Sequence, residues 1–110
     1  MALVINGQII PTTDRGFLIN SCEWNETVAQ AIAEQEKIEL TENHWEILFF
    51  IRGYYQIYNH LPNTRMFVKA VRKTLGDGKG NSLYLHRLFP EGPLKYACKL
   101  AGLPKPPNCI

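Results

Sequence analysis

Three cysteines are the residues of this 110-residue sequence with the most chemistry to offer. Cys109, the penultimate residue, follows Leu103-Pro104-Lys105-Pro106-Pro107-Asn108, in which three prolines in four positions remove backbone donors and favour extended polyproline II geometry. At about 3.1 Å per residue, the step from Leu103 to Cys109 spans about 19 Å. A thiol carried that way can leave its parent domain and enter a partner's active site. It attacks or accepts sulfur only as thiolate, from an unperturbed pKa of about 8.5, and the terminal carboxylate one residue on disfavours further negative charge. Activation then falls to Lys105 or to a partner, which describes a carrier quiet when free and reactive when docked. The plainer alternative is an idle thiol in a tail, where change is best tolerated.

Cys98 stands on an expected helix between Tyr96-Ala97 and Lys99. It is either a small buried hydrophobe or a resolving thiol, because the intervening chain is long enough to return Cys109 to the Cα separation of about 4.4–6.8 Å that a disulfide requires. Closing that loop stabilises by about 3 kcal/mol, less whatever strain the prolines add, and an easily opened bond suits redox exchange. Cys22, after Asn20-Ser21 and before Glu23-Trp24, has a packing role or is an inert, partly exposed thiol. The cysteines lack C-x-x-C spacing and His44, His60 and His86 make no H-x-x-x-H pair, so neither a zinc site nor any other cofactor is expected. Gly76, Gly78 and Gly80 beside Lys79 follow a helix and miss the P-loop spacing, which leaves a solvated interhelical loop.

The elements that must position these groups read as β then α, an α+β class with most residues helical in one domain spanning 1–110. Leu3-Val4-Ile5 and Gln8-Ile9-Ile10 flank Asn6-Gly7, the strongest short-range hairpin signal. Phe17-Leu18-Ile19, beyond the Asp14-Arg15-Gly16 turn, makes a third strand and completes a β-meander over residues 1–20. A helical array over 25–102 covers it. Asn25 caps a helix with Val28, Ala29, Ile32 and Ala33 inward. Thr41 caps a longer, central helix with a stripe of Trp45, Leu48, Phe49, Tyr55 and Tyr58, flanked by Ile47, Ile51 and Tyr54. Asn63 or Thr64 caps a third, with Met66, Phe67, Ala70 and Val71 inward and Gly76 as its stop. A short helix runs from Ser82 to about Leu88, and Pro90-Glu91-Gly92-Pro93 opens the last, which ends near Gly102. Residues 103–110 form a carboxy-terminal arm.

With 45% hydrophobic and 20% charged residues the balance is that of an ordinary soluble protein. No run approaches 18 apolar residues, and the first twenty positions hold neither a basic start nor a long apolar block, so the expected address is the cytoplasm, with no membrane partner. The net charge of +2 hides a division: residues 1–61 hold three Lys or Arg against eight Asp or Glu, and 62–110 hold nine against two. A basic second half predicts anionic partners, whether RNA, DNA or an acidic protein face. Arg65, Lys69, Arg72 and Lys73, with Arg87 further on, have the outline of a helix-turn-helix, which makes a DNA-binding regulator the non-enzymatic alternative. The aromatics fall at core spacing rather than between cations, against a stacking platform for bases.

The ending Gly102-Leu103-Pro104-Lys105-Pro106 with Cys109-Ile110, together with Lys79-Gly80-Asn81-Ser82, Leu88-Phe89-Pro90, Gly92-Pro93 and the segment 42–45, resembles the DsrC/TusE family over essentially the whole chain. The resemblance implies a cytoplasmic, sulfurtransferase-type persulfide carrier that acts with partner enzymes, built as a small β-meander on a helical array with a mobile arm. Cys109 matches the cysteine that accepts sulfur. In the TusE branch sulfur arrives from a TusBCD relay complex and passes to the thiouridylase MnmA for 2-thiolation of the tRNA wobble uridine, so that tRNA is reached through a partner. This is the favoured reading, with Lys105, Arg72 and Lys73 as docking cations. In the DsrC branch the partner is dissimilatory sulfite reductase, and Cys98 matches a second cysteine that pairs with the terminal one.

Overall fold

The structure, a computed structural model, describes residues 1–107. Strand β1 (Ala2–Ile5) pairs antiparallel with β2 (Gln8–Pro11) in the register Leu3↔Ile10. Asn6 and Gly7 both take positive φ, 50° and 81°, as a two-residue hairpin turn of this kind requires. Alternation puts Leu3 and Ile10 on the buried face, against α1 (Glu26–Glu36), and leaves Val4 and Ile9 exposed.

The third strand shrinks to a single bridge, Thr12↔Leu18. Thr13 Oγ1 accepts the amides of Arg15 and Phe17, both at 3.2 Å, and closes a local turn. Amides satisfied this way are unavailable for a longer ladder. The sheet among the described residues therefore has two strands.

Helix starts follow their caps. The side chains of Asn25, Asn63 and Asn81 accept the amides of Val28, Met66 and Tyr84, opening α1, α3 (Thr64–Leu75) and α4 (Ser82–Leu88). Helix α2 (Glu42–Tyr58) follows Thr41, whose amide and hydroxyl both donate to His44 Nδ1, at 3.1 and 2.8 Å. His44 Nε2 lies 2.8 Å from the Leu88 carbonyl. A carbonyl only accepts, so Nε2 carries the ring proton, and both nitrogens of this buried histidine are satisfied.

That polar residue turns the buried face of α2 away from the expected aromatic stripe. His44, Ile47, Leu48 and Ile51 face the core, whereas Phe49 is 50% and Tyr58 54% exposed. On α3, Phe67 and Val71 are buried as expected, but Met66 is 48% exposed and Ala70 only partly covered.

The centre belongs to α5 (Pro93–Leu100) rather than to α2. Proline at its first position supplies fixed φ where no donor is needed. Eight residues long, α5 buries Leu94, Ala97, Cys98, Lys99 and Leu100 and packs against α1, α2, α3 and α4. Lys99 is tolerated there because its Nζ meets Glu36 Oε1 at 2.6 Å and lies over the rings of Phe17 and Tyr96. No described helix is long and apolar enough to cross a membrane.

Candidate functional site

The C-terminal segment that leads to Cys109 starts from this central helix. The last carbonyls of an α-helix have no partner within it, and here two side chains from distant elements supply them. Trp24 Nε1 donates to the Leu100 carbonyl at 2.8 Å, and Arg52 Nη1 to the Ala101 carbonyl at 2.7 Å. The Arg52 guanidinium also lies 4.3 Å from the centre of the Trp24 ring, a cation over a π face. A positive charge at this end suits the helix dipole. Burial lowers the Arg52 pKa from its ordinary value, and the nearby Cys22 works against that shift.

Gly102 completes the root. Its φ is +71°, and a Cβ there would lie 2.4 Å from Trp24 Cδ1. Only a residue without a side chain fits the backbone this close to the indole. The amides of Gly102 and Leu103 then return to the carbonyls of Lys99 and Cys98, at 3.2 and 3.0 Å.

Beyond the root, residues 103–107 belong to no helix or strand, yet Leu103 and Pro106 are buried. The arm is seated on the globule as far as Pro106, because Leu103 and Pro106 are apolar enough to gain by burial. Pro104 and Lys105 line a cleft with Thr13, Asp14, Arg15 and Phe17. Cys109, to which the sulfur chemistry was assigned, lies outside the described residues. Cys98 is fully buried. Cys22 is exposed in a short 3-10 turn, Ser21–Glu23. Among the described residues no group of three or more His, Cys, Asp or Glu is arranged to hold a metal ion.

The expected docking cations fall in two places. Lys105 is at the arm's cleft, whereas Arg72 and Lys73 line a groove between α2 and α3. Arg72 Nε is held by the Gly80 carbonyl at 3.0 Å. The loop after α3 is also less solvated than its glycines imply. Gly80 is pressed so close to the Arg72 backbone that a Cβ would fall 2.1 Å from its Cα, and Lys79 pairs with Glu46. Sequence reasoning missed the Trp24, Arg52 and Gly102 lock. The available signals were a tryptophan just after a turn and a glycine just after a helix.

The model of the DsrC-like protein family matches residues 4–110. The chain belongs to this family. Among its DsrC-like relatives, a protein of Haemophilus influenzae named Sulfurtransferase TusE homolog is 56% identical over 108 residues, 98% of this chain and 99% of the relative. Sulfurtransferase TusE of Yersinia pestis is 54% identical over the same shares. In three dimensions the chain is similar to Allochromatium vinosum DsrC, with a TM-score of 0.90 and 46% identity over 99% of this chain and 97% of that one. It is also similar to the oxidized gamma-subunit of the dissimilatory sulfite reductase (DsrC) from Archaeoglobus fulgidus, with a TM-score of 0.85 and 40% identity over the whole of both chains. Among the described residues two strands and five helices make an α+β architecture, and the fold matches that of these DsrC structures.

Proposed function

We propose that this protein is a cytoplasmic sulfur carrier that takes sulfur onto Cys109 and relays it toward 2-thiolation of the tRNA wobble uridine. One observation carries the reading: a chain 56% and 54% identical, across nearly its full length, to proteins named as sulfurtransferases has a cysteine at 109, seven residues past a root locked by Trp24 and Arg52. The Cys109 thiolate attacks the outer sulfur of a donor persulfide. The donor's S–S bond breaks, its thiolate leaves with the electron pair, and Cys109–S–SH forms. Delivery repeats the step, with the acceptor's thiolate attacking the outer sulfur and Cys109 leaving as thiolate. Neither step needs an external oxidant or reductant.

A fixed root sets the reach. Seven extended residues span at most about 25 Å, a distance that becomes usable when Leu103 and Pro106 leave their seats. Donor and acceptor are taken to be a TusBCD-type complex and an MnmA-type thiouridylase, with Lys105, Arg72 and Lys73 offered to anionic partners. The protein then acts with partner enzymes rather than alone.

A second reading, a partner of dissimilatory sulfite reductase using a Cys98–Cys109 pair, draws support from the Archaeoglobus relative. The DNA-binding alternative has no support among these relatives.

Incubation with a small persulfide donor followed by intact-mass measurement tests the carrier reading. A gain of one sulfur is expected in the native protein and in Cys98→Ser, and no gain in Cys109→Ser. Equal sulfur uptake by Cys109→Ser overturns it.

A further inference from the structure

We propose that the groove between α2 and α3 binds single-stranded RNA, stacking a base on the exposed ring of Tyr58, with Tyr54 and His60 beside it, and meeting the flanking phosphates with Lys69 and Lys73. The groove is a cavity of about 630 Å³, within the range of small-ligand sites. Its aromatic wall is formed by three rings in mutual contact. The centroids of Tyr54 and Tyr58 are 4.6 Å apart, and His60 lies 6.2 Å from the first and 6.1 Å from the second. The opposite wall is α3, with Met66, Lys69 and Lys73.

Two features of this surface need an explanation. Large apolar side chains stay in water along it: Tyr58, Met66 and, in the adjoining cavity that shares Tyr54, Tyr58 and Lys73, Ile57 at 73% exposure. Such a contiguous patch marks an interaction site. Its charge is also one-sided, because α3 has four cations and no acid. Lys69 and Lys73, one turn apart and about 6 Å along the axis, pair with no carboxylate among the described residues. Arg72 differs, being held by the Gly80 carbonyl and lying 3.9 Å from Asp77. It is left out of the phosphate contacts.

The cations select an anion, and the rings select one with flat faces. An acidic peptide satisfies the lysines but gives the three rings nothing to stack on. A duplex offers phosphates but keeps its bases stacked inside. An unpaired strand supplies both, the combination of stacking platform and basic groove by which single strands are held. RNA is chosen over DNA because the inference rests on the relay reading, whose end point is a tRNA. The groove adds direct contact with nucleic acid to a carrier otherwise expected to reach it through a partner.

Anisotropy titration of a fluorescent, short, unstructured oligoribonucleotide tests this. Tyr58→Ala weakens binding about tenfold, equivalent to about 1.4 kcal/mol, whereas Tyr58→Phe, which keeps the ring, binds like the native protein. Lys69→Gln and Lys73→Gln each flatten the log–log salt dependence by about 0.7. Tyr58 and both lysines are exposed, so these variants fold. Absence of binding, native affinity in Tyr58→Ala, equal affinity for the same sequence as DNA, or equal competition by an acidic peptide each overturns the proposal. Sulfur loading from the small donor involves no RNA, so failure here and failure of the carrier reading are read separately.

Discussion

Replacing Gly102 with alanine puts a methyl group where the Trp24 indole already is. The new Cβ would lie 2.4 Å from Cδ1 and 2.7 Å from both Cβ and Cγ of Trp24. The indole cannot simply swing aside, because its Nε1 is bonded to the Leu100 carbonyl and its face is covered by Arg52. A side chain at φ +71° costs about 1–2 kcal/mol, and forced overpacking adds about 1–3. Alanine also reduces the freedom of the unfolded chain, which offsets about 0.4–1 kcal/mol. The net expectation is a loss of about 1–5 kcal/mol in urea unfolding. Gly78→Ala is the matched control, since its Cβ meets nothing within 4 Å and its φ is not in the left-handed range. That variant should stay within about 0.5 kcal/mol of the native protein. If the two unfold at the same denaturant concentration, the close approach to Trp24 does not restrain the root and the reasoning is wrong.

Glu36→Gln should cost about 1–3 kcal/mol, below the roughly 3–5 of a fully buried broken pair because the Glu36 side chain is partly exposed. Adding Lys99→Met, which replaces the ammonium between Phe17 and Tyr96 with an apolar chain, should recover much of that loss in the same unfolding measurement; a further loss would show that Lys99 contributes by something other than its charge pairing. The Tyr96 phenol is held above its ordinary value of 10.0 by burial, then by the carboxylates of Glu36 and Glu91. Its neutral form is favoured in the folded state, so the stability it contributes is complete below 10.0 and is lost as pH rises through the raised folded value. Ultraviolet titration should show a late phenolate transition that Tyr96→Phe removes.

Local signals were legible in the sequence. The asparagine caps at 25 and 63, the proline opening α5 and the Asn6-Gly7 turn each act within a few residues, and each stands where expected. The third strand failed because Thr13 ties up nearby amides by its own side chain. The α2 stripe was misjudged because a histidine counts as polar until both its nitrogens are known to have partners, one of them 44 residues away. The root lock was hidden for the same reason, with Trp24 and Leu100 separated by 76 positions. The aromatics of α2 looked like core residues until packing set them opposite the lysines of α3. What local chemistry decides was readable; what long-range pairing decides was not.

The central position of α5 has a consequence for how the chain is made. A helix of eight residues does not hold together in water by itself, and it follows every element it joins. During synthesis the ribosome therefore delivers α1, α2 and α3 with their apolar faces uncovered, and the keystone emerges only afterwards. Until then the nascent chain is a candidate for chaperones and aggregation, and the same late segment that closes the interior is followed directly by the end that carries Cys109.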